Sequence, residues 1–291
     1  MCTRPRRVLG CILVGLIVIG TSQAFTPRSS SLNCHRTKLV GPARRGTILP
    51  LTLSDESIRV LQDDSFVSIS DFLSPSMVDG LIEDVEILRE SDEALVKFAS
   101  AKHGNVEWFD LLPVHQPARA GGNVEERTAL YQLVDNIQTV IEEMSGIKLD
   151  SDLTELKYAV YPSGGSYMRH LDGLNVGEKA REYSFVLYLN RDWTALDAGH
   201  LRVFEYEGGS INGYIDVEPK AGTIVVFKSD LVPHEVLPTS SKRIALVGWY
   251  NRRKTSEEVD LESNNTGEEL SPLAAAILQH YRDKGVAVKL G

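Results

Sequence analysis

His170-Leu171-Asp172 sets an imidazole and a carboxylate two positions apart. In an extended segment, positions i and i+2 project to the same side, so both groups can reach one cation. A third donor must come from elsewhere, and His234 is the candidate, in the β-like run Val232-Pro233-His234-Glu235-Val236. Two imidazoles and one carboxylate on one face of Fe(II) leave three positions open for other ligands. The remaining histidines (His35, His103, His115, His200 and His280) lack such company.

Arg243 adds a second chemical feature. In the run Lys242–Tyr250, alternation puts Arg243, Ala245, Val247 and Trp249 on one face and Ile244, Leu246, Gly248 and Tyr250 on the other. Both faces are apolar, so the strand is expected to be buried on both sides. A buried guanidinium needs an anion, because an uncompensated buried charge costs several kcal/mol. That anion is either an internal Asp or Glu, or the carboxylate of a ligand gripped in two-pronged fashion.

Positioning these groups requires sheets. From residue 154 onward the chain reads as short strands: Glu155–Tyr161, Tyr183–Leu189, His200–Phe204, Tyr214–Val217, Thr223–Lys228, His234–Leu237 and Lys242–Tyr250. Turn residues such as Gly164-Gly165, Gly208-Gly209 and Ala221-Gly222 separate them. Before them, Ser74-Pro75 caps a helix with apolar residues from Met77 to Leu88, and a second helix runs from Leu130 to Met144 and stops at Gly146. Residues 91–122 read as loop with short strands. Two helices followed by seven or eight strands predict an α+β domain whose core is a jelly roll with helices packed outside. The segments are 55–153 for the helical and loop part, 154–253 for the strands, and 254–291 for an acidic linker and a last helix near Pro272 to Arg282.

Residues 1–54 differ from the rest. They hold eight Arg and Lys and no acid, leaving 23 basic against 40 acidic residues in 55–291, a net charge of −17. A body that acidic is a poor partner for nucleic acid. Cys2, Cys11 and Cys34 all lie in the basic leader, so the body can form no disulfide and no thiolate metal site. Arg4, Arg6 and Arg7, the apolar run Val8–Gly20 and then Ser22-Gln23-Ala24 read as a signal peptide cleaved after Ala24. An apolar run of 13 residues is short of the roughly 20 that span a bilayer, so no stable membrane span is expected in the mature protein. Residues 25–54, rich in Ser, Thr and Arg, have the composition of an organelle transit segment. With Phe25 first, the leader resembles the bipartite presequences of complex plastids. The alternative is a protein of the ER or Golgi lumen, or a secreted one.

The motifs together resemble the prolyl 4-hydroxylase family of Fe(II)- and 2-oxoglutarate-dependent dioxygenases. They are Tyr161-Pro162 with Tyr167-Met168-Arg169-His170-Leu171-Asp172, Leu187-Tyr188-Leu189-Asn190-Arg191-Asp192-Trp193, Gly199-His200-Leu201-Arg202, and Pro219 through Pro233-His234-Glu235-Val236 to Arg243-Ile244-Ala245 and Trp249-Tyr250. Order and spacing hold over about residues 57–252, and the likeness is greatest to the oxygen-sensing members, which share an Arg nine residues after the distal His. The resemblance implies a double-stranded β-helix with His170, Asp172 and His234 on iron. It implies Arg243 and Tyr188 on the far carboxylate of 2-oxoglutarate, Tyr161 near the cosubstrate's inner end, Leu201 and Trp249 lining the pocket, and Tyr167 beside the substrate. It also implies O2 as cosubstrate and ascorbate as reductant.

The activity implied is oxidative decarboxylation of 2-oxoglutarate coupled to hydroxylation of a prolyl residue in a peptide or protein. A free amino acid or small metabolite is the alternative substrate, and a non-catalytic jelly-roll binding module the alternative class. Residues 97–122 and the loop Gly173–Arg181, which face substrate in the family, depart most from its pattern.

Overall fold

The computed structural model describes residues 52–91, 96–100, 104–111, 121–173, 179–207, 210–259 and 272–283. The signal segment, the transit segment up to residue 51 and most of the acidic linker lie outside the described residues, whereas Leu53 and Ser54, read from sequence as the end of the leader, belong to the folded body. Among the described residues, no helix is long and apolar enough to cross a membrane.

Three helices precede the main strands. Helix α1 (Asp55–Asp64) starts where the Ser54 hydroxyl accepts from the Ser57 amide at 3.2 Å, and Leu53 beside it is buried. Helix α2 (Pro75–Glu90) has Ser74 as N-cap, accepting from the Met77 amide. Helix α3 (Val124–Ser145) ends at Gly146, whose φ of 73° lets its amide reach back to the Glu142 carbonyl. The last two match the sequence reading, but α1 does not appear in it. Only Ser57, Ile58 and Leu61 are buried over its ten residues, too faint a period to stand out.

Among the described residues, eleven strands follow one another as β1 (Phe66–Ile69), β2 (Val96–Ser100), β3 (Gly104–Leu111), β4 (Glu155–Tyr161), β5 (Tyr167–His170), β6 (Lys179–Tyr188), β7 (Leu201–Glu207), β8 (Ser210–Val217), β9 (Ile224–Lys228), β10 (His234–Val236) and β11 (Arg243–Arg253). They form a seven-stranded sheet ordered β1-β9-β6-β11-β4-β3-β2 and a four-stranded sheet ordered β5-β10-β7-β8. Residues 91–122, read from sequence as loop with short strands, hold the β2–β3 hairpin that widens the larger sheet.

The central strands β4, β6, β9 and β11 explain themselves. Each holds a run of consecutive apolar residues, such as Ile224-Val225-Val226-Phe227 of β9, because each face of the larger sheet is covered. One face packs on the helices: Ile244, Leu246 and Tyr250 join Leu81, Val85, Leu130 and Val134 in one core. The other packs on the smaller sheet: Ala245, Tyr188 and Phe227 join Leu201, Val203 and Val236 in a second core. Two sheets facing one another with helices behind the larger are the double-stranded β-helix expected. A last helix, α4 (Pro272–Asp283), packs against β5 and buries Leu273 and Ile277.

Candidate active site

The two histidines are brought together by strand register. His170 and His234 are direct partners across the antiparallel β5–β10 pair, and their rings lie 4.2 Å apart. Asp172 is not on the strand: β5 ends at His170, and the carboxylate sits in the turn that follows. It reaches back so that Oδ1 is 3.2 Å from His170 Nε2 and Oδ2 is 3.7 Å from His234 Nε2. One ligand atom from each of the three residues falls within 4.8 Å of the others.

The hydrogen bonds decide what these atoms can bind. His170 Nδ1 meets the Met168 carbonyl at 2.8 Å, and His234 Nδ1 meets the Val232 carbonyl at 3.0 Å. A carbonyl only accepts, so each Nδ1 carries a proton, and Nε2 is the nitrogen each ring turns toward Asp172. Burial, with the nearby His170 charge, lowers the His234 pKa to about 4, which keeps it neutral at pH 7. Burial alone pushes the Asp172 carboxyl up, but the adjacent imidazoles and Arg181 more than offset it and hold it well below the usual carboxylate range. Two imidazole Nε2 atoms and an ionised carboxylate therefore converge on one point. A cation there would meet the lone pairs of the neutral rings and the carboxylate together, and the donor set fits Fe(II).

The larger sheet supplies the opposite wall. Arg243 is 3% exposed, and its partner across β4–β11 is Tyr161. Its guanidinium lies 5.1 Å from the Tyr161 ring centre and 5.2 Å from that of Tyr188. Nε donates to the Gly199 carbonyl at 2.8 Å. Among the described residues, no Asp or Glu comes within ion-pair distance of Arg243, so the internal salt bridge left open by the sequence is not made. The Tyr188 hydroxyl is buried beside Arg243 and, among the described residues, has no other hydrogen-bond partner. Burial raises its pKa to about 12 despite the pull of Arg243, so it stays a neutral donor. A cation without an acidic partner among the described residues and a neutral hydroxyl, buried side by side, fit the carboxylate of a ligand. Tyr161 links the two ends of the pocket: burial raises its pKa to about 12, Arg243 opposing and the Asp172 charge adding to it.

Gly199 shapes the arginine's seat. Its φ is +75°, and a Cβ there would lie 3.0 Å from Thr239 and 3.1 Å from Arg243 Cδ. Glycine both adopts the conformation and leaves room for the arginine stem.

The other expected residues fall as follows. Leu201 is buried in the core between the sheets. Tyr167 stacks on His170, with ring centres 4.2 Å apart, and meets Trp108 edge-on at 6.4 Å. Trp249 shares Arg243's face but lies six residues along β11, opposite Ser184. Its ring sits under Arg181 at 4.2 Å and near Lys157 at 5.6 Å. His200 stands outside the site against Trp193.

Two contributors are absent from the sequence reading. Arg181 forks onto Glu155 and also donates to the Asp172 carbonyl at 3.3 Å. Ser184 donates to Asp172 Oδ2 at 2.8 Å. Ser184 had a faint signal, as a hydroxyl within the otherwise apolar run Tyr183–Leu189.

Two sheets clasping a two-histidine, one-carboxylate centre beside a buried arginine define an iron oxygenase site. Comparison with known proteins agrees. Residues 156–251 match the family model of the 2OG-Fe(II) oxygenase superfamily. A prolyl 4-hydroxylase of Pseudomonas putida, known as a crystal structure, is 32% identical, with a TM-score of 0.56 over 68% of this chain and 98% of that one. Among curated proteins, human "Prolyl hydroxylase EGLN3" is 35% identical over 136 residues, 45% of this chain and 55% of that protein. The "Hypoxia-inducible factor prolyl hydroxylase" of Caenorhabditis elegans is 26% identical over 218 residues, 68% of this chain and 28% of that protein. The chain thus spans between about a quarter and about half the length of these curated relatives. It belongs to the prolyl hydroxylase family of 2OG-Fe(II) oxygenases, whose chemistry uses Fe(II), 2-oxoglutarate and O2.

Proposed function

We propose that the chain hydroxylates prolyl residues of a peptide or protein. The observation that carries this is the pairing, in one pocket, of the His170–Asp172–His234 centre with an Arg243 that has no acidic partner among the described residues. Fe(II), when bound, supplies the oxygen activation. The protein's own groups do the rest. His170, Asp172 and His234 hold the metal from one side. Arg243 and Tyr188 grip the far carboxylate of 2-oxoglutarate and so set its orientation. The apolar surfaces of Leu201, Val203 and Phe227 keep bulk water from the reacting groups. Tyr167 and Trp108 stand where a substrate would approach His170. The names of the relatives, which act as prolyl hydroxylases and in one case on a protein factor, support the peptide substrate.

The decisive measurement is oxygen-dependent release of carbon dioxide from 2-oxoglutarate across a panel of proline-containing peptides. Turnover stimulated by a peptide, with hydroxyproline found in it, is the expected result. Stimulation by free amino acids alone would move the assignment to a small-molecule hydroxylase, and no 2-oxoglutarate turnover under any condition would leave a binding module. His234→Ala should abolish Fe(II) binding and turnover together. Ascorbate is expected to prolong turnover by keeping the metal reduced. The leader supports entry into the secretory pathway and onward transfer to a complex plastid. A mature N-terminus well past Ala24 in mass spectra fits that route, whereas a start at Phe25 fits a luminal or secreted protein.

A further inference from the structure

Asp172 is restrained at its side chain and through the amide that follows it. Its Oδ2 accepts from Ser184 Oγ at 2.8 Å, and Ser184 Oγ lies 2.8 Å from Ser229 Oγ. The next amide, Gly173 N–H, donates to the Ser229 carbonyl at 2.9 Å. Both serines are buried, at 1% and 0% exposure. A hydroxyl has a single proton, and an ionised carboxylate can only accept. Ser184 therefore commits its proton to Asp172, and the proton between the two serines must be Ser229's. The chain has one direction: Ser229 donates to Ser184, and Ser184 to Asp172. Donors linked in series in a dry site polarise one another, which strengthens the last bond.

We propose that Ser184, backed by Ser229, is a positioning residue that makes Asp172 a one-oxygen metal ligand. Ser184 occupies a lone pair of Oδ2 and so biases the carboxylate toward binding through Oδ1, the oxygen 3.2 Å from His170 Nε2. A carboxylate binding through both oxygens would take a further coordination position that the cosubstrates require. Ser184 touches neither metal nor substrate and acts only through Asp172. This inference rests on the metal-centre reading of His170, Asp172 and His234.

The test uses the full chain stripped of metal and titrated with Co(II), whose visible absorption reports both affinity and ligand arrangement. Ser184→Ala should weaken Co(II) binding by about 10- to 100-fold, the usual effect of losing a group that orients a metal ligand, and should change the absorption bands as Oδ2 becomes free. Ser184→Thr keeps the hydroxyl and should restore both. Ser229→Ala leaves the first donor in place and should give a smaller loss in the same direction. Wild-type affinity and spectrum in Ser184→Ala would overturn the proposal, including the case where the variant merely lowers the melting temperature of the metal-free protein. Should Ser184→Ala not fold, a wild-type titration by Ser229→Ala overturns it instead. His234→Ala separates the two levels. If it binds Co(II) like the wild type, the metal-centre reading itself fails. If it loses Co(II) while Ser184→Ala does not, only the role of Ser184 falls.

Discussion

Arg127 and Arg243 are both buried guanidinium groups, at 0% and 3% exposure, and they are satisfied in opposite ways. Arg127 sits on α3 and forks onto Asp84 of α2, with Nε to Oδ2 at 3.0 Å and Nη2 to Oδ1 at 2.5 Å. Its Nη2 also donates to the Gly121 carbonyl. The same carboxylate accepts from Tyr158 on β4 at 2.9 Å and from the Asn123 amide at 2.6 Å. Helices and sheet are thereby clamped through one shared set of donors and acceptors. Arg243 has a carbonyl, two aromatic rings and, among the described residues, no acid. A buried cation with its anion built in serves the fold. A buried cation without one marks where an anion from outside belongs. The same residue type thus separates the structural half of the molecule from the binding half.

That contrast can be broken by substitution. Arg127→Ala should have the largest effect on the fold. It strands Asp84 in the core, and the loss of one partner of a buried ion pair typically costs about 3–5 kcal/mol, readable as the free energy of denaturant unfolding. Arg243→Ala should cost the fold far less but weaken 2-oxoglutarate binding by roughly 30-fold or more, for a charge-assisted contact worth about 2–5 kcal/mol. Anaerobic titration of the Fe(II)–2-oxoglutarate charge-transfer band checks this, and Arg243→Lys should recover only part of the loss. An unchanged titration in Arg243→Ala would make Arg243 as structural as Arg127.

Acid should act on the binding half. His234 has its pKa lowered from 6.5 to about 4, so the unfolded chain binds this proton first as pH falls. The metal-free protein should therefore lose stability progressively as pH drops through that window, by about 3 kcal/mol from this group. Metal protects the neutral form, so the loss should shrink with Co(II) bound. A metal-free protein equally stable at pH 6.5 and pH 4 would contradict the buried, neutral His234. The smallest effect is expected at Gly122, which has φ of +73° and whose added Cβ would press on Asp84 and Arg127. Gly122→Ala should destabilise by about 1–3 kcal/mol while leaving 2-oxoglutarate titration as in the wild type.

What could be seen in the sequence follows the same division. The binding half was legible because its residues break local pattern: a carboxylate two places from an imidazole, and an arginine in a strand apolar on both faces. The α2 and α3 helices and the strand Glu155–Tyr161 were legible from period and caps. The Asp84–Arg127 pair was not, although it is buried more deeply than the metal centre. Its members are 43 residues apart, and each occupies a helix where a lone charge reads as solvent-facing. Ser184 and Ser229 were hidden for a related reason, since a small hydroxyl in an apolar strand says nothing about which acceptor lies across the sheet. The β2–β3 hairpin went half-read because its edge position needs little apolar regularity.

The strand that carries His170 is also the outermost strand of the four-stranded sheet. An outermost strand has one row of backbone amides and carbonyls without a neighbouring strand, the kind of surface on which a foreign chain can add itself by β-augmentation. Helix α4 packs against that strand, and a helix offers no free backbone ladder in return. The edge that carries a metal ligand is thus one that helix α4 packs beside.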